Sequence, residues 1–335
     1  MPKHIGLDLG TSNTRMYLKG NGIIMRSPTV VAIDQRDEEV VAVGKEAKMM
    51  IGKTPAHISA FKPIRDGVVS EFEATVLMLH EYFVRKEVIS LFNRPVVLVS
   101  APENCTDVER RALEDTIFEA GAKAVGIIPS PIASAIGAGL NINSPKGCMV
   151  VDIGAGMTQI SVISSGRIVK SKAMKLAGDK LDGAIIAGLR NNRDLYIGES
   201  SAEMLKIRIG SAMPNQKRGA LEISGRNERH KCAQTIKVTG DEIYQAISKP
   251  LDAICHMIMR LLETIPPEIA TDISNYGIML VGGGAGIHGM AELINAKTRL
   301  RVTVAKSPMD CECIGLGKLI EKPTIIPGGI LYKNR

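Results

Sequence analysis

The stretch IGLDLGTSNTRMYL at residues 5–18 decides the fold, because an acid, a glycine and short polar residues interrupt its apolar pattern. Residues 5–9 alternate as in a strand, and apolar character resumes at residues 14–18. The loop between them begins with a glycine, which lets the backbone approach a ligand closely, and continues with short hydrogen-bond donors. Such a loop suits a phosphate group. Its residues are Gly10, Thr11, Ser12 and Asn13.

Asp8 stands two residues before this loop. It cannot bind a phosphate directly, because both groups are negative. A Mg²⁺ ion held through water would fit between the carboxylate and the phosphate. The alternative is a simple hairpin in which Asp8 is buried and hydrogen-bonded.

The stretch MVVDIGAGMTQISVISSGRIV at residues 149–169 repeats the pattern of the first. Asp152 corresponds to Asp8, and Gly154 corresponds to Gly10. A repeated strand–loop–strand unit indicates a duplicated domain. Two such loops facing each other would clamp a polyphosphate, and the two aspartates would share the metal. The second loop consists of Gly154, Ala155, Gly156 and Met157, and Thr158 follows it.

A third glycine-rich segment, IMLVGGGAGIHGM, occupies residues 278–290. We predict a buried strand, then the glycines, then a helix start at which an adenosine can approach. The alternative is a generic turn from a strand to a helix. The predicted contact residues are Gly282, Gly283, Gly284 and Ala285.

These three elements, in this order, resemble those of the actin/Hsp70/sugar-kinase ATPase superfamily. GIIMRSPTVVAID at 22–34 and IGESSAEMLKIRIG at 197–210 are similar to segments of the bacterial actin MreB family. The likeness extends over nearly the whole chain. It implies an α/β actin-like ATPase fold with two duplicated lobes, each a core domain plus a smaller insert, and a nucleotide in the central cleft.

The resemblance also implies domain boundaries. The first core comprises 1–30, 65–145 and 314–335 with the insert 31–64, and the second comprises 146–180 and 245–313 with the insert 181–244.

Some local elements follow from the residues alone. Thr106 and Glu109 form a capping-box pattern, which predicts a helix that Gly121 ends. RPVVLVSAP at 94–102 is typical of a buried parallel strand. Asn21-Gly22 predicts a hairpin turn.

The resemblance implies that Glu203 and Lys206 contact the nucleoside. Their spacing alone predicts an exposed ion pair. The family orients the attacking water with a glutamate that directly precedes a proline. Here the stretch IIPSPIASAIG at 127–137 has Ser130 at that position. Met157 replaces a hydroxyl residue of the family motif, and Thr158 keeps the hydroxyl that follows.

We therefore expect ATP and Mg²⁺ to bind and hydrolysis to be slow or absent, since a hydroxyl cannot accept a proton near neutral pH. The alternative is that another residue orients the water. No base-reading side chain is identifiable, so the preference for ATP over GTP stays open.

The resemblance implies a membrane-inserting loop with the apolar pair Leu91 and Phe92, flanked by Arg85, Lys86 and Arg94. An apolar tip with basic neighbours suits an anionic leaflet. The alternative is a buried helix end with ordinary surface charges. We expect homopolymer filaments at the inner face of the cytoplasmic membrane, with cell-wall synthesis and shape proteins as partners.

Composition agrees with these expectations. The 335 residues carry a formal net charge of +7, which fits anion binding, and no motif points to nucleic acid. None of the six cysteines forms a C-x-x-C pair, so we expect reduced thiols in the cytoplasm. Two other functions remain: a non-polymerising ATP-binding adaptor, and a small-molecule kinase, which would need a carboxylate that position 130 lacks.

Overall fold

The computed structural model describes residues 2–90, 93–326 and 328–334. The chain divides into two compact units. The first contains Met1–Pro145, Ile163–Ile168 and Met309–Arg335, and the second contains Lys146–Val162 and Val169–Pro308. The finer division of each unit into a core and an insert stays a prediction.

Strands and helices alternate along much of the chain. The strands are β1 His4–Leu9, β2 Asn13–Leu18, β3 Gly22–Pro28, β4 Val31–Asp34, β5 Val40–Val43, β6 Ile58–Phe61, β7 Ile64–Arg65, β8 Val68–Val69, β9 Val96–Ala101, β10 Ala124–Pro129, β11 Cys148–Ile153, β12 Thr158–Ser164, β13 Arg167–Met174, β14 Leu195–Tyr196, β15 Ala220–Asn227, β16 Ala233–Thr239, β17 Ile278–Val281, β18 Val302–Val304 and β19 Tyr332–Asn334. The helices are α1 Lys45–Met50, α2 Phe72–Arg85, α3 Asp107–Glu119, α4 Ser130–Gly137, α5 Gly178–Arg193, α6 Glu199–Ile209, α7 Gly240–Leu262, α8 Pro267–Tyr276, α9 Met290–Thr298 and α10 Cys311–Glu321.

The main sheet of the first unit has the order β19-β10-β9-β1-β2-β3. Its three central strands, β10, β9 and β1, run parallel, so their carboxyl ends lie along one edge. Alternate residues of β1 and β9 pack with α2 and α3 in a core that contains Ile5, Leu7, Val97 and Phe83. This core holds the parallel strands, and therefore their carboxyl ends, in fixed register.

Helix α10 packs directly against α4 and the β1–β2 hairpin because glycines remove the intervening side chains. A Cβ atom on Gly137 would lie 1.7 Å from the carbonyl oxygen of Cys311, and one on Gly315 would lie 1.8 Å from that of Ala133. On the sheet side, a Cβ atom on Gly6 would lie 2.8 Å from the Cβ of Leu316. The backbones are therefore in contact at both surfaces of α10.

A small sheet with the order β5-β4-β6 also belongs to the first unit. It packs with α1 around a separate cluster of buried residues, which includes Val30, Ala32 and Ala47.

The main sheet of the second unit has the order β13-β12-β11-β17-β18, and β11, β17 and β18 are parallel. Its core includes side chains of α5, α6, α7 and α9, among them Ile185, Leu205 and Ile254. A smaller sheet, β14-β15-β16, belongs to the same unit. The mixed α/β class predicted from the sequence is confirmed in both units.

The local predictions also agree with the structure. Thr106 and Glu109 form a capping box at the start of α3, and the chain leaves that helix at Gly121 with φ = 113°. Strand β9 pairs in parallel with β1 and β10, as a buried strand does. All six cysteines are free thiols. Among the described residues, no helix has the length and apolar character that crossing a membrane requires.

Candidate functional site

The loop after β1 is a tight turn, here called the first turn (Gly10–Asn13). The amide of Gly10 donates to the carbonyl oxygen of Asn13 at 3.2 Å. A Cβ atom on Gly10 would lie 2.9 Å from that same oxygen, so the turn closes this tightly only with glycine at its first position.

Thr29, which the sequence analysis did not single out, holds the first turn in place. Its amide donates to the carbonyl of Ser12 at 3.0 Å, and its hydroxyl donates to the carbonyl of Gly10 at 2.7 Å. The hydroxyl of Thr11 accepts a hydrogen bond from the amide of Gly67 at 3.0 Å. These partners fix the carbonyl groups of Gly10 and Ser12 and the hydroxyl of Thr11.

Asp8 is buried and forms an ion pair with Arg15, whose Nη1 lies 3.0 Å from Oδ2 of Asp8. The two residues are directly opposite each other in the antiparallel β1–β2 pair. Burial raises the pKa of the Asp8 carboxyl above its ordinary value, and the Arg15 guanidinium opposes that shift. Asp8 is therefore buried and hydrogen-bonded, which does not decide between a simple hairpin and a magnesium site, and the magnesium role stays a prediction.

Ser130 lies at the same edge of the sheet as the first turn. It is buried and begins α4 directly after β10, two strands away from β1. The carboxyl ends of parallel strands are the usual ligand-binding edge of an α/β sheet. The fold thus brings the predicted water-orienting position and the predicted phosphate loop to one edge of the first unit.

The second turn (Gly154–Met157) repeats the geometry of the first. The amide of Gly154 donates to the carbonyl of Met157 at 3.0 Å, and a Cβ atom on Gly154 would lie 3.0 Å from that oxygen. The amide of Asp179 at the start of α5 donates to the carbonyl of Ala155 at 2.8 Å. The duplication inferred from the sequence is therefore present in the backbone hydrogen bonds of both turns.

The third glycine-rich segment packs against the end of β11. A Cβ atom on Gly282 would lie 2.4 Å from Oδ1 of Asp152, and one on Gly284 would lie 2.2 Å from Cγ2 of Ile153. The predicted order of a buried strand, glycines and a helix start is confirmed: β17 is followed by a 3-10 turn at residues 283–286, and α9 begins at Met290. The adenosine contact stays a prediction. Gly282 has φ = 84°, which carries the chain sharply out of β17.

Thr158 is fully buried, and its hydroxyl donates to the carbonyl of Leu176 at 2.7 Å. Its counterpart Thr14 is equally buried, with its hydroxyl 2.9 Å from that of Thr29. The two threonines therefore occupy equivalent structural positions at the starts of β12 and β2. A catalytic contribution of Thr158 stays a prediction.

Lys206 forms a largely buried ion pair that spacing alone did not predict. Its Nζ lies 2.8 Å from Oδ2 of Asp182 and donates to the carbonyl of Gly178 at 3.0 Å. A Cβ atom on Gly178 would lie 3.3 Å from the Cα of Ala155, so this pair adjoins the second turn. Glu203 lies one helical turn before Lys206 on α6. Its negative charge contributes to raising the pKa of Asp182.

Asp182 is a buried carboxyl whose pKa lies above its ordinary value. Burial raises its pKa to about 6, although Lys206 lowers it. Within the described part of the chain, its Oδ1 is buried without a hydrogen-bond partner. The charged form of this carboxylate is therefore stabilised on one oxygen only.

The predicted membrane residues, Leu91 and Phe92, lie outside the described residues. Their neighbours Ser90 and Asn93 exchange two backbone hydrogen bonds, of 3.0 and 3.1 Å. Val88, just before them, is buried in the core of the first unit. The flanking basic side chains are exposed; they are Arg85, Lys86 and Arg94.

The predicted metal ligands are chemically suited to Mg²⁺. Asp8 and Asp152 provide carboxylate oxygens near the carboxyl ends of β1 and β11. Mg²⁺ takes oxygen ligands and is commonly held by one or two carboxylates together with phosphates and waters. No group of three or more potential metal ligands occurs among the residues that the structure describes. The metal role of Asp8 and Asp152 stays a prediction.

Known proteins resemble this chain along nearly its whole length. The family model for MreB/Mbl protein matches residues 2–327. The cell shape-determining protein Mbl of Bacillus cereus is 40% identical over 97% of this chain and 98% of its own length. The cell shape-determining protein MreB of Escherichia coli K12 is 42% identical over 95% of this chain and 93% of its own length.

Solved structures agree with the sequence comparisons. MreB5 of Spiroplasma citri bound to AMPPNP superposes with a TM-score of 0.91 at 33% identity, and 97% of each chain is covered. A MamK double helical filament subunit has a TM-score of 0.80 at 21% identity over 96% of this chain and 99% of its own, which shows the fold alone. The actin-like fold predicted from the sequence is confirmed.

Proposed function

Because this chain belongs to the MreB/Mbl family of actin-like proteins, we propose that it is an ATP-binding filament protein that organises cell-wall synthesis and cell shape. One observation carries the proposal: the first and second turns have the same hydrogen bond, closed by Gly10 and by Gly154. Two equivalent glycine turns at the carboxyl ends of strands suit the binding of nucleotide phosphates.

The related structures support the nucleotide. MreB5 of Spiroplasma citri has been solved with AMPPNP and with ADP, and it matches 97% of this chain. In this chain, Asp8 and Asp152 would hold Mg²⁺, which screens the charge of the phosphates when it is bound. Lys206 and Glu203 lie on the helix that we expect to contact the nucleoside.

Slow hydrolysis is part of the proposal. The position that carries a glutamate in the family motif is Ser130, a buried residue at the start of α4. The hydroxyl can hydrogen-bond a water molecule but cannot accept its proton, and losing such a group costs about 10²–10⁴ in rate. Met157 brings no hydroxyl to the second turn. Bound ATP would then persist in the assembled protein.

We propose that assembly takes place at the inner face of the cytoplasmic membrane. The support is the apolar pair Leu91 and Phe92 between the exposed cations Lys86 and Arg94. Each copy would bind an anionic leaflet weakly, and a filament would add many such contacts. The cell-wall synthesis and shape proteins expected from the family would then gather along the filament.

The test is nucleotide-dependent assembly. Purified protein with ATP and Mg²⁺ should scatter light and show filaments in negative stain, and calorimetry should detect the binding of ATP or GTP. Gly10→Ala and Gly154→Ala should each weaken binding by about tenfold or more, because a Cβ atom would push on the turn carbonyl.

The test distinguishes the proposed filament protein from its alternatives. Nucleotide binding without filaments would favour the non-polymerising adaptor. The absence of binding heat with either purine nucleotide in the presence of Mg²⁺ would contradict the proposed function.

A further inference from the structure

The side chains around Asp8 form an alternating chain of charges. Arg15 contacts Asp8 through Nη1 at 3.0 Å and Asp310 through Nε at 3.2 Å. Arg26 makes a bidentate contact with the same Asp310, with its Nη2 at 3.0 Å from Oδ2. All four residues belong to the first unit. Two carboxylates and two guanidinium groups therefore sum to zero charge beside the first turn.

Arg15 is held in this position from two sides. Its side chain is 13% exposed, and that of Asp8 is 6% exposed. The β1–β2 register places the two residues face to face, and Asp310 receives the guanidinium at the start of α10. By contrast, the Arg26 side chain is 56% exposed. The Asp8–Arg15 pair is thus shielded from solvent. Charge interactions are stronger in such an interior than in water.

We propose that Arg15 neutralises Asp8 and thereby weakens the coupling between Mg²⁺ and nucleotide at the first turn. The inference rests on the proposed nucleotide function. A bare carboxylate near the turn would repel phosphates in the absence of metal and attract Mg²⁺ in its presence. Arg15 reduces both effects, because the positive charge that a metal would supply is already beside Asp8. The chain should therefore bind nucleotide with less dependence on Mg²⁺ than a chain with a neutral residue at position 15.

A purely structural role for Arg15 makes a different prediction. If Arg15 only supported the fold, its replacement would change the nucleotide affinity equally with and without metal. The ratio of the dissociation constant in EDTA to that in Mg²⁺, here called the metal ratio, would then stay constant. The metal ratio therefore separates electrostatic coupling from simple support.

The experiment measures the metal ratio by calorimetry with a non-hydrolysable ATP analogue at constant ionic strength. Arg15→Gln keeps a hydrogen-bond donor toward Asp8 but removes the charge, and we expect the metal ratio to rise by about 5–150-fold. Arg26→Gln is the matched control, because Arg26 contacts Asp310 and not Asp8 in the described network. It should change the metal ratio by less than about twofold, within the range expected for a pair without direct coupling.

Two further variants complete the test. Arg15→Lys restores the charge and should return the metal ratio toward that of the wild type. In an Asp8→Asn background, Arg15→Gln should no longer raise the metal ratio, because the carboxylate that couples it to the metal is gone.

Asp8→Asn alone gives a readout that does not depend on the folding of Arg15 variants. Since Arg15 already neutralises Asp8, this substitution should lower the metal ratio by less than about fivefold, the lower end of typical coupling. A larger drop would overturn the proposal, and so would equal metal ratios in the wild type and a folded Arg15→Gln protein. Failure of the wild type to bind nucleotide in either buffer would instead remove the proposed function.

Discussion

Ser130 is the residue on which the proposed slow hydrolysis chiefly depends. It begins α4 and precedes Pro131, as the glutamate of the family motif precedes its proline. Ser130→Glu should raise phosphate release by about 10²-fold or more, because a carboxylate can accept the proton of the attacking water. A steady-state phosphate-release assay measures the effect.

The matched control for that prediction is Ser130→Ala, which should leave an already slow rate nearly unchanged. Rapid release by the wild type that persists in Ser130→Ala would show that another residue orients the water.

Asp182 should make stability depend on pH. Burial raises its folded pKa to about 6 from the ordinary 3.8, so between those values the folded chain keeps a proton that the unfolded chain has lost. The contribution to stability is complete below the lower value and falls by about 3 kcal/mol as pH rises through the folded pKa. Urea unfolding of the wild type and Asp182→Asn at pH 4–7 measures it.

The free energy of unfolding of Asp182→Asn should not show this decrease between pH 4 and pH 6. The same substitution at the exposed Asp241 of α7 is the matched control. Parallel pH profiles for the wild type and Asp182→Asn would contradict the assigned cause.

The sequence predicts isolated residue roles better than residue pairs. The roles of Gly10 and Gly154 are predictable, because a glycine closely following an acid at the end of a strand indicates a tight turn. The same spacing in both copies of the repeat supports that prediction. Arg15 carries no local signal of its role, although a three-residue connection between antiparallel strands sets it opposite Asp8. The Lys206–Asp182 pair is harder to predict, since two different helices bring its members together.

Helices α4 and α10 pack closely because glycines at their interface let the two backbones come into contact. A Cβ atom on Gly315 would lie 1.8 Å from the carbonyl oxygen of Ala133, which is backbone and cannot turn aside. Gly315→Ala should therefore lower the free energy of unfolding by about 3 kcal/mol or more, at the upper end of overpacking costs. Chemical denaturation measures the change.

Gly183→Ala in α5 is the matched control for this helix packing. Nothing lies within 4 Å of its Cβ position, and it is exposed. It should stabilise the chain by about 0.5–1 kcal/mol, because alanine favours a helix more than glycine does. Equal effects of the two substitutions would refute the packing explanation.

Elements with strong local signals are predicted correctly from the sequence. The capping box fixes the start of α3, and the apolar run at residues 96–99 identifies β9. The third glycine segment leads from β17 to α9 as predicted, but no local signal in the sequence indicates the 3-10 turn between them. Its course is decided by the close approach of Gly282 and Gly284 to β11, which is a tertiary contact.

For the whole molecule, the fold class follows from the duplicated motif, and the family membership follows from similarity over residues 2–327. The proposed membrane attachment would depend on many copies in a filament and on the net charge of +7. Leu91→Ser/Phe92→Ser should reduce pelleting with anionic vesicles several-fold, because its apolar contact is lost.

Salt should weaken vesicle binding of the wild type, since attraction to the leaflet is screened over about 8–10 Å near physiological ionic strength. Val108→Ser, at an exposed apolar residue of α3, is the matched control. Unchanged pelleting of the double variant would remove the proposed attachment.

The β1–β2 register makes the length of the first turn as critical as its composition. Leu7 and Met16 face each other in the core, while Asp8 and Arg15 face each other on the opposite side of the sheet. One residue inserted into the connection would shift the pairing by one position and turn the arginine toward the apolar interior. A change of length at this hairpin would therefore carry a cation into hydrocarbon surroundings, which no substitution within the turn would do.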